Sequence, residues 1–203
     1  MPFIEHNGKR VLFVHIPRTG GTSIEHWMAS LAPVRFRTIG MPPALRCTPQ
    51  HLRMSDYNAL FGENYFDYAF TVVRNPYARI ESEYRLRAAL QEREFFGEAM
   101  TFSMWLELSL ERSRREPWHM DNHLRPQSEF IGTGVEVHHF EDGLAAVIRK
   151  IATVLGVPCS DLPESRLATD KDIAIRWDSL DRERVAERYA RDFNRFRYEQ
   201  LAE

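Results

Sequence analysis

Apolar positions fall in short runs that alternate with amphipathic stretches. Residues 10–16, Arg-Val-Leu-Phe-Val-His-Ile, are nearly continuous in apolar character, the pattern of a strand buried on both faces. Pro17 ends the run. Thr22 and Ser23 then offer N-cap hydroxyls, and Ile24, Trp27, Met28 and Leu31 recur on one helical face. The prediction is strand, glycine-containing turn, helix. The same unit recurs at Tyr68–Val73, where Asn75 suits an N-cap and Pro76 the first helical position. Tyr77, Ile80 and Tyr84 then share a core-facing side, and Asn75, Arg79 and Ser82 fall on the opposite one. Between the two units the pattern predicts a strand over 34–39, a proline-containing loop and a short helix over 56–61. Beyond them come a helix over 102–111, an irregular polar stretch over 112–126 and a strand over 135–140. The stripe Leu144, Val147, Ile148, Ile151, Leu155 predicts a helix closed by Gly156 and Pro158. One last helix carries Val185, Tyr189, Phe193 and Phe196.

Strands alternating with helices predict an α/β fold around a mainly parallel sheet. There is no internal repeat or low-complexity linker, and 203 residues, 43% of them apolar, suit a single domain over 1–203. Lys and Arg number 27 against 29 Asp and Glu, a net charge of −2. That balance gives no argument for a nucleic-acid or anionic-membrane partner, and neither is expected; any basic site must be a local cluster. No apolar stretch approaches the roughly 20 residues that span a bilayer, and the first ten residues hold no signal-peptide core. A cytoplasmic location is expected. Cys47 and Cys159 lie far apart with no CxxC spacing, which reads as two incidental thiols in a reducing compartment.

In parallel sheets ligands bind at the carboxyl ends of strands, and both predicted turns sit there. The first, His15-Ile-Pro-Arg-Thr-Gly-Gly-Thr-Ser23, combines two glycines, hydroxyls and a cation with a helix start. Gly20 and Gly21 allow close backbone approach. The helix N-terminus supplies amides and the positive dipole end. Thr19, Thr22 and Ser23 add hydroxyls, and Arg18 adds a permanent charge. The whole reads as an anion cradle. It is not a Walker A loop, because Thr22 stands where the phosphate lysine belongs and Ile16 where the first glycine belongs. At the second turn, Arg74 and Ser82 offer a guanidinium and a hydroxyl, a combination suited to a phosphate.

Together, His15–Ser23 and Val73-Arg-Asn-Pro-Tyr-Ala-Arg-Ile-Glu-Ser-Glu-Tyr84 resemble the two signature motifs of sulfotransferases that use 3′-phosphoadenosine-5′-phosphosulfate (PAPS). The resemblance is to the carbohydrate-type branch, which includes uronic-acid 2-O-sulfotransferases and bacterial relatives. It covers about two dozen residues strictly. It implies a P-loop-like, three-layer α/β domain with a central mainly parallel sheet flanked by helices. It also implies sulfuryl transfer from PAPS, leaving adenosine-3′,5′-bisphosphate (PAP). Arg18, Thr19, Gly20, Gly21, Thr22 and Ser23 would hold the 5′-phosphosulfate, and Arg74 and Ser82 the 3′-phosphate. Arg18 is a departure, since the family usually has lysine there; a guanidinium keeps the charge but does not donate its proton.

An acceptor hydroxyl needs a base near neutral pKa, and histidine suits it. His51, in the loop between the two motifs, is the candidate, at a spacing similar to the catalytic histidine of the 2-O branch. His15 reads as packing locally, and His6, His26, His119, His138 and His139 carry no functional argument. His123 and Arg125 lie in a His-x-x-Pro-Gln stretch that could line the acceptor site or be a solvated loop. Lys171 lies in a late loop that closes over the nucleotide in relatives. The residues need no metal. The resemblance implies a carbohydrate or small-molecule acceptor. A P-loop-like kinase or NTPase and a non-catalytic anion- or glycan-binding module are the competing readings.

Overall fold

The structure is a computed structural model and describes residues 2–37, 40–41, 43–90, 100–159 and 173–201. Among these are four strands: β1 Phe3–His6, β2 Lys9–Val14, β3 Tyr68–Val73 and β4 Val135–His139. The α-helices are α1 Gly21–Leu31, α2 Met54–Phe61, α3 Pro76–Ala89, α4 Phe102–Arg115, α5 Leu144–Leu155, α6 Ser179–Arg188 and α7 Ala190–Phe196. The chain forms two compact units. One comprises Met1–Arg74 and Glu129–Ser165, the other Asn75–Ser128 and Arg166–Glu203. No described helix is long and apolar enough to cross a membrane.

The first unit holds the sheet, in the order β1-β2-β3-β4. β2, β3 and β4 run parallel, with Val14 opposite Thr71 and Val73 opposite His139. Sheet residues Val11, Phe13, Phe70 and Val72 pack against Ile24, Trp27 and Met28 of α1 and Val147, Ile148 and Ile151 of α5. Each fully buried side chain of this kind contributes about 1.5–3 kcal/mol. Leu12 and Val14, on the other face of β2, are also fully buried, as an apolar run without alternation requires. The mainly parallel sheet flanked by helices is the α/β fold expected.

β1 pairs with β2 antiparallel, Phe3 opposite Leu12 and His6 opposite Lys9. Asn7 and Gly8 link them, both at positive φ (49° and 74°), the conformation an Asn-Gly hairpin turn demands. Of the strand expected over 34–39, the described residues 34–37 form a single bridge instead. Phe3 and Arg35 exchange two backbone hydrogen bonds of 3.1 and 2.9 Å, and Phe36 at φ 58° turns the chain away. Phe36 then joins Phe3, Tyr57, Phe61 and Phe66 in an aromatic cluster that ties β1 to α2.

The second unit packs α3, α4, α6 and α7 around Tyr77, Ile80, Trp105, Leu106, Val185 and Phe193. Asn75 caps α3 as predicted, its Oδ1 accepting from the Tyr77 amide at 2.9 Å, with Pro76 following. α4 runs one turn past its predicted end, to Arg115, closing with Arg112, Arg114 and Arg115 on its negative pole. The single C-terminal helix expected is two, because Tyr189 leaves helical geometry (φ −111°). Its buried hydroxyl donates to the Leu124 carbonyl at 2.9 Å. Asp192, on α7, then accepts from the amides of Gln127 and Ser128 at 2.7 and 2.8 Å.

The polar side of α3 is buried too. Arg79 is 1% exposed and donates to the carbonyls of Arg125 and His123 at 3.0 and 2.6 Å. Glu83, also 1% exposed, accepts from His123 Nδ1 and Arg87 Nε, both at 2.7 Å. Burial pushes the Glu83 carboxyl up, but the charges and hydrogen bonds of His123 and Arg87 outweigh it and hold it far below the usual carboxylate range. The folded value lies below the unfolded one, so this stability is present above the unfolded carboxylate pKa of about 4.3 and is lost as the pH falls below it. Glu83→Gln is expected to cost about 3–5 kcal/mol at neutral pH, the usual effect of breaking a buried pair, and to flatten the acid limb. Denaturant unfolding of both proteins from neutral to acid pH measures this.

Candidate active site

The site is built at the carboxyl ends of β2 and β3. After β2 the chain passes Pro17 and turns through Arg18 at φ 69°. Thr19 is fully buried and its hydroxyl donates to the Ile16 carbonyl at 2.8 Å, so it braces the loop from within. Gly20 follows in the left-handed region (φ 85°) and is the N-cap of α1. The N-cap expected from Thr22 and Ser23 is therefore not made: the helix begins at Gly21, and both hydroxyls lie within its first turn. No side chain caps α1 and no acid lies in its first turn. An N-terminus of this kind can receive an anion.

Packing alone requires the two glycines. A Cβ on Gly20 would stand 2.6 Å from Leu144 Cδ1. A Cβ on Gly21 would stand 2.0 Å from His15 Nε2. The ring of His15 thus fills the space behind the first turn. Its Nδ1 lies 2.5 Å from Glu25 Oε1 on α1.

Arg74 follows β3 and comes to the same loop, its Nη1 donating to the Arg18 carbonyl at 3.3 Å. Its guanidinium lies over the Phe140 ring, 4.5 Å from the centroid. The parallel register that sets Val14 beside Thr71 brings both turns to one end of the sheet. The turns that carry Arg18 and Arg74 and the first turn of α1, with Thr22 and Ser23, therefore lie at one end of the sheet.

His51 ends a short 3-10 turn, Pro49–His51. It is buried at 7% exposure, with Nδ1 3.4 Å from the Thr48 hydroxyl. Its ring meets the His15 ring edge-on, centroids 5.0 Å apart. The loop histidine singled out by spacing thus reaches the back of the cradle, although more than 25 residues separate it from Ser23 in sequence.

The remaining candidates lie in the second unit. Ser82 is buried on α3 at 7% exposure. His123 is held by Glu83. Arg125 is 5% exposed, donates from Nε to Asn122 Oδ1 at 2.9 Å and from Nη2 to the Pro117 carbonyl at 3.1 Å, and stacks over Trp118. The stretch around them is a buried polar network and not a solvated loop. Lys171 lies outside the described residues. Sequence reasoning missed Glu25, Gln50 and Glu83. Each is an ordinary polar residue with a partner distant in sequence, and no local pattern marks it.

A family model described as the sulfotransferase family matches residues 2–199. A sulfotransferase crystal structure from Alicyclobacillus acidocaldarius is 23% identical, with a TM-score of 0.41, over 63% of this chain and 52% of that one. The chain thus spans about half the length of that neighbour. A search of curated proteins gave no match. With the family model covering nearly every residue, this chain belongs to the sulfotransferase family.

Proposed function

We propose that the chain, acting as one domain over 1–203, transfers a sulfuryl group from PAPS to an acceptor hydroxyl of a carbohydrate or small molecule. The observation that carries this reading is the uncapped N-terminus of α1, flanked by Arg18 and by an Arg74 that bonds the same loop. A phosphosulfate donor suits that set: the amides and the hydroxyls of Thr22 and Ser23 donate, and the two guanidiniums supply charge. The donor carries the transferable group. Arg18 and the loop amides stabilise charge spreading over its oxygens, by analogy with phosphoryl transfer. His51 takes the acceptor proton. Arg74 holds the 3′-phosphate; the assignment of Ser82 to that phosphate rests on the motif alone.

A thermal-shift titration tests the donor. PAP at about 100 times its dissociation constant should add about 2.7 kcal/mol of stability, with AMP, sulfate and Mg-ATP as controls. Arg74→Ala should need a higher PAP concentration for the same shift. A larger effect of Mg-ATP would favour a kinase or NTPase, and equal effects of sulfate and PAP would favour an anion-binding module. Incubation with [35S]PAPS and a panel of sugars, phenols and amino alcohols then identifies the acceptor by its label.

A further inference from the structure

The carboxylate of Glu25 is buried within the first unit and meets three separate segments. Oε1 accepts from His15 Nδ1 at 2.5 Å and from Gln50 Nε2 at 2.7 Å, and Oε2 accepts from Arg37 Nε at 3.0 Å. Glu25 itself is 1% exposed. An ionised carboxylate in such a place is destabilising unless its lone pairs are used, and here both oxygens are occupied. Burial pushes its carboxyl up, but His15, Gln50 and Arg37 outweigh that and hold it below the ordinary carboxylate range.

Two of the three donors, His15 and Gln50, border the site. His15 is the ring against which Gly21 fits without room for a Cβ. Gln50 immediately precedes His51 in the turn Pro49–His51. The His15 ring, fixed by Glu25, is also the surface that His51 meets edge-on. One carboxylate therefore sets the donor cradle and the loop histidine in a common frame, by two routes: through His15, and through Gln50.

We infer that Glu25 is a positioning residue for sulfuryl transfer, joining the donor cradle to the loop that carries His51. Its value to catalysis rests on the reading of His51 as the base. Reacting groups must be held to within fractions of an ångström, and a displacement of about 1 Å can cost roughly 100-fold in rate. Glutamine at position 25 keeps one acceptor oxygen, which can serve at most two of the three donors, and sets an NH2 against the third, so at least one tie is lost and the remaining ones lose their charge assistance. Alanine at position 50 removes one tie and leaves His15 in place.

The test uses the full chain labelled with 15N-histidine. Side-chain 15N–1H spectra report His15 and His51 separately, with His15→Phe and His51→Asn assigning the signals, and calorimetry with PAP reports the cradle. Glu25→Gln is expected to move both histidine signals and to weaken PAP about tenfold, the usual effect of losing a charge-assisted hydrogen bond. Gln50→Ala, which carries little risk to folding, is expected to move the His51 signals while leaving His15 and PAP affinity as in wild type. His51 signals at their wild-type positions in either variant would overturn the inference. These spectra need no turnover. Full transfer activity in His51→Asn would remove the base assignment and leave the coupling standing, whereas unmoved spectra would remove the coupling and leave the base assignment standing.

Discussion

Replacing His51 with alanine is expected to lower kcat about 10²- to 10⁴-fold, the range that a positioned general base contributes, while PAP affinity stays at the wild-type level. The split follows from geometry. His51 meets the ring of His15 edge-on and is neither one of the cradle's arginines nor part of the first turn of α1, so its removal leaves Arg18, Arg74 and that turn in the sequence. Two controls separate chemistry from folding. His51→Gln keeps most of the buried volume and should lose as much activity as alanine. Unfolding curves for both variants should show the protein folded at the assay temperature. The measurement is initial rate at saturating PAPS with the acceptor that the labelling panel identifies. Wild-type turnover in either variant would show that another group takes the acceptor proton. His15 would be the first candidate, since a buried carboxylate orients it and its Nε2 lies at the first turn.

What could be read from the sequence was what local physics dictates. The two buried parallel strands, the Asn75-Pro76 start of α3 and the stripe of α5 came from periodicity and capping. The cradle came from glycines, hydroxyls and a cation at a strand end. The Asn7-Gly8 dipeptide was equally local. It carries a hairpin signal and pairs β1 with β2, yet the four residues of β1 are too short to show a period. The rest was set at a distance. The α3 face of Asn75, Arg79 and Ser82 has the polarity of a solvated surface, but Arg79 is buried because two carbonyls more than 40 residues away receive its protons. The extended 34–39 run failed as a strand for a related reason. Among its described residues, Phe36 is taken up by an aromatic cluster with Tyr57 and Phe61, Val34 packs against the core with α1 and α5, and Arg35 bridges to Phe3.

Arg18 offers the sharper separation of activity from stability. Arg18→Ala is expected to lower kcat about 10²- to 10³-fold, as when one preorganised donor is removed from a site of developing negative charge. Arg18→Lys should recover most of that loss, because the resemblance places lysine at this position and the charge is retained. Strain makes the third substitution informative. Arg18 sits at φ 69°, a conformation that costs a side-chain-bearing residue about 1–2 kcal/mol. Glycine relieves that strain and forfeits about 0.5–1 kcal/mol in backbone entropy, so Arg18→Gly should be about as stable as wild type, whereas alanine keeps the strain. If the strained turn exists to aim the guanidinium at the donor, Arg18→Gly will be stable and as inactive as Arg18→Ala. If the turn matters and the charge does not, Arg18→Gly will keep near-wild-type rates, and the role assigned to the cation in stabilising the transferring group would have to be given up.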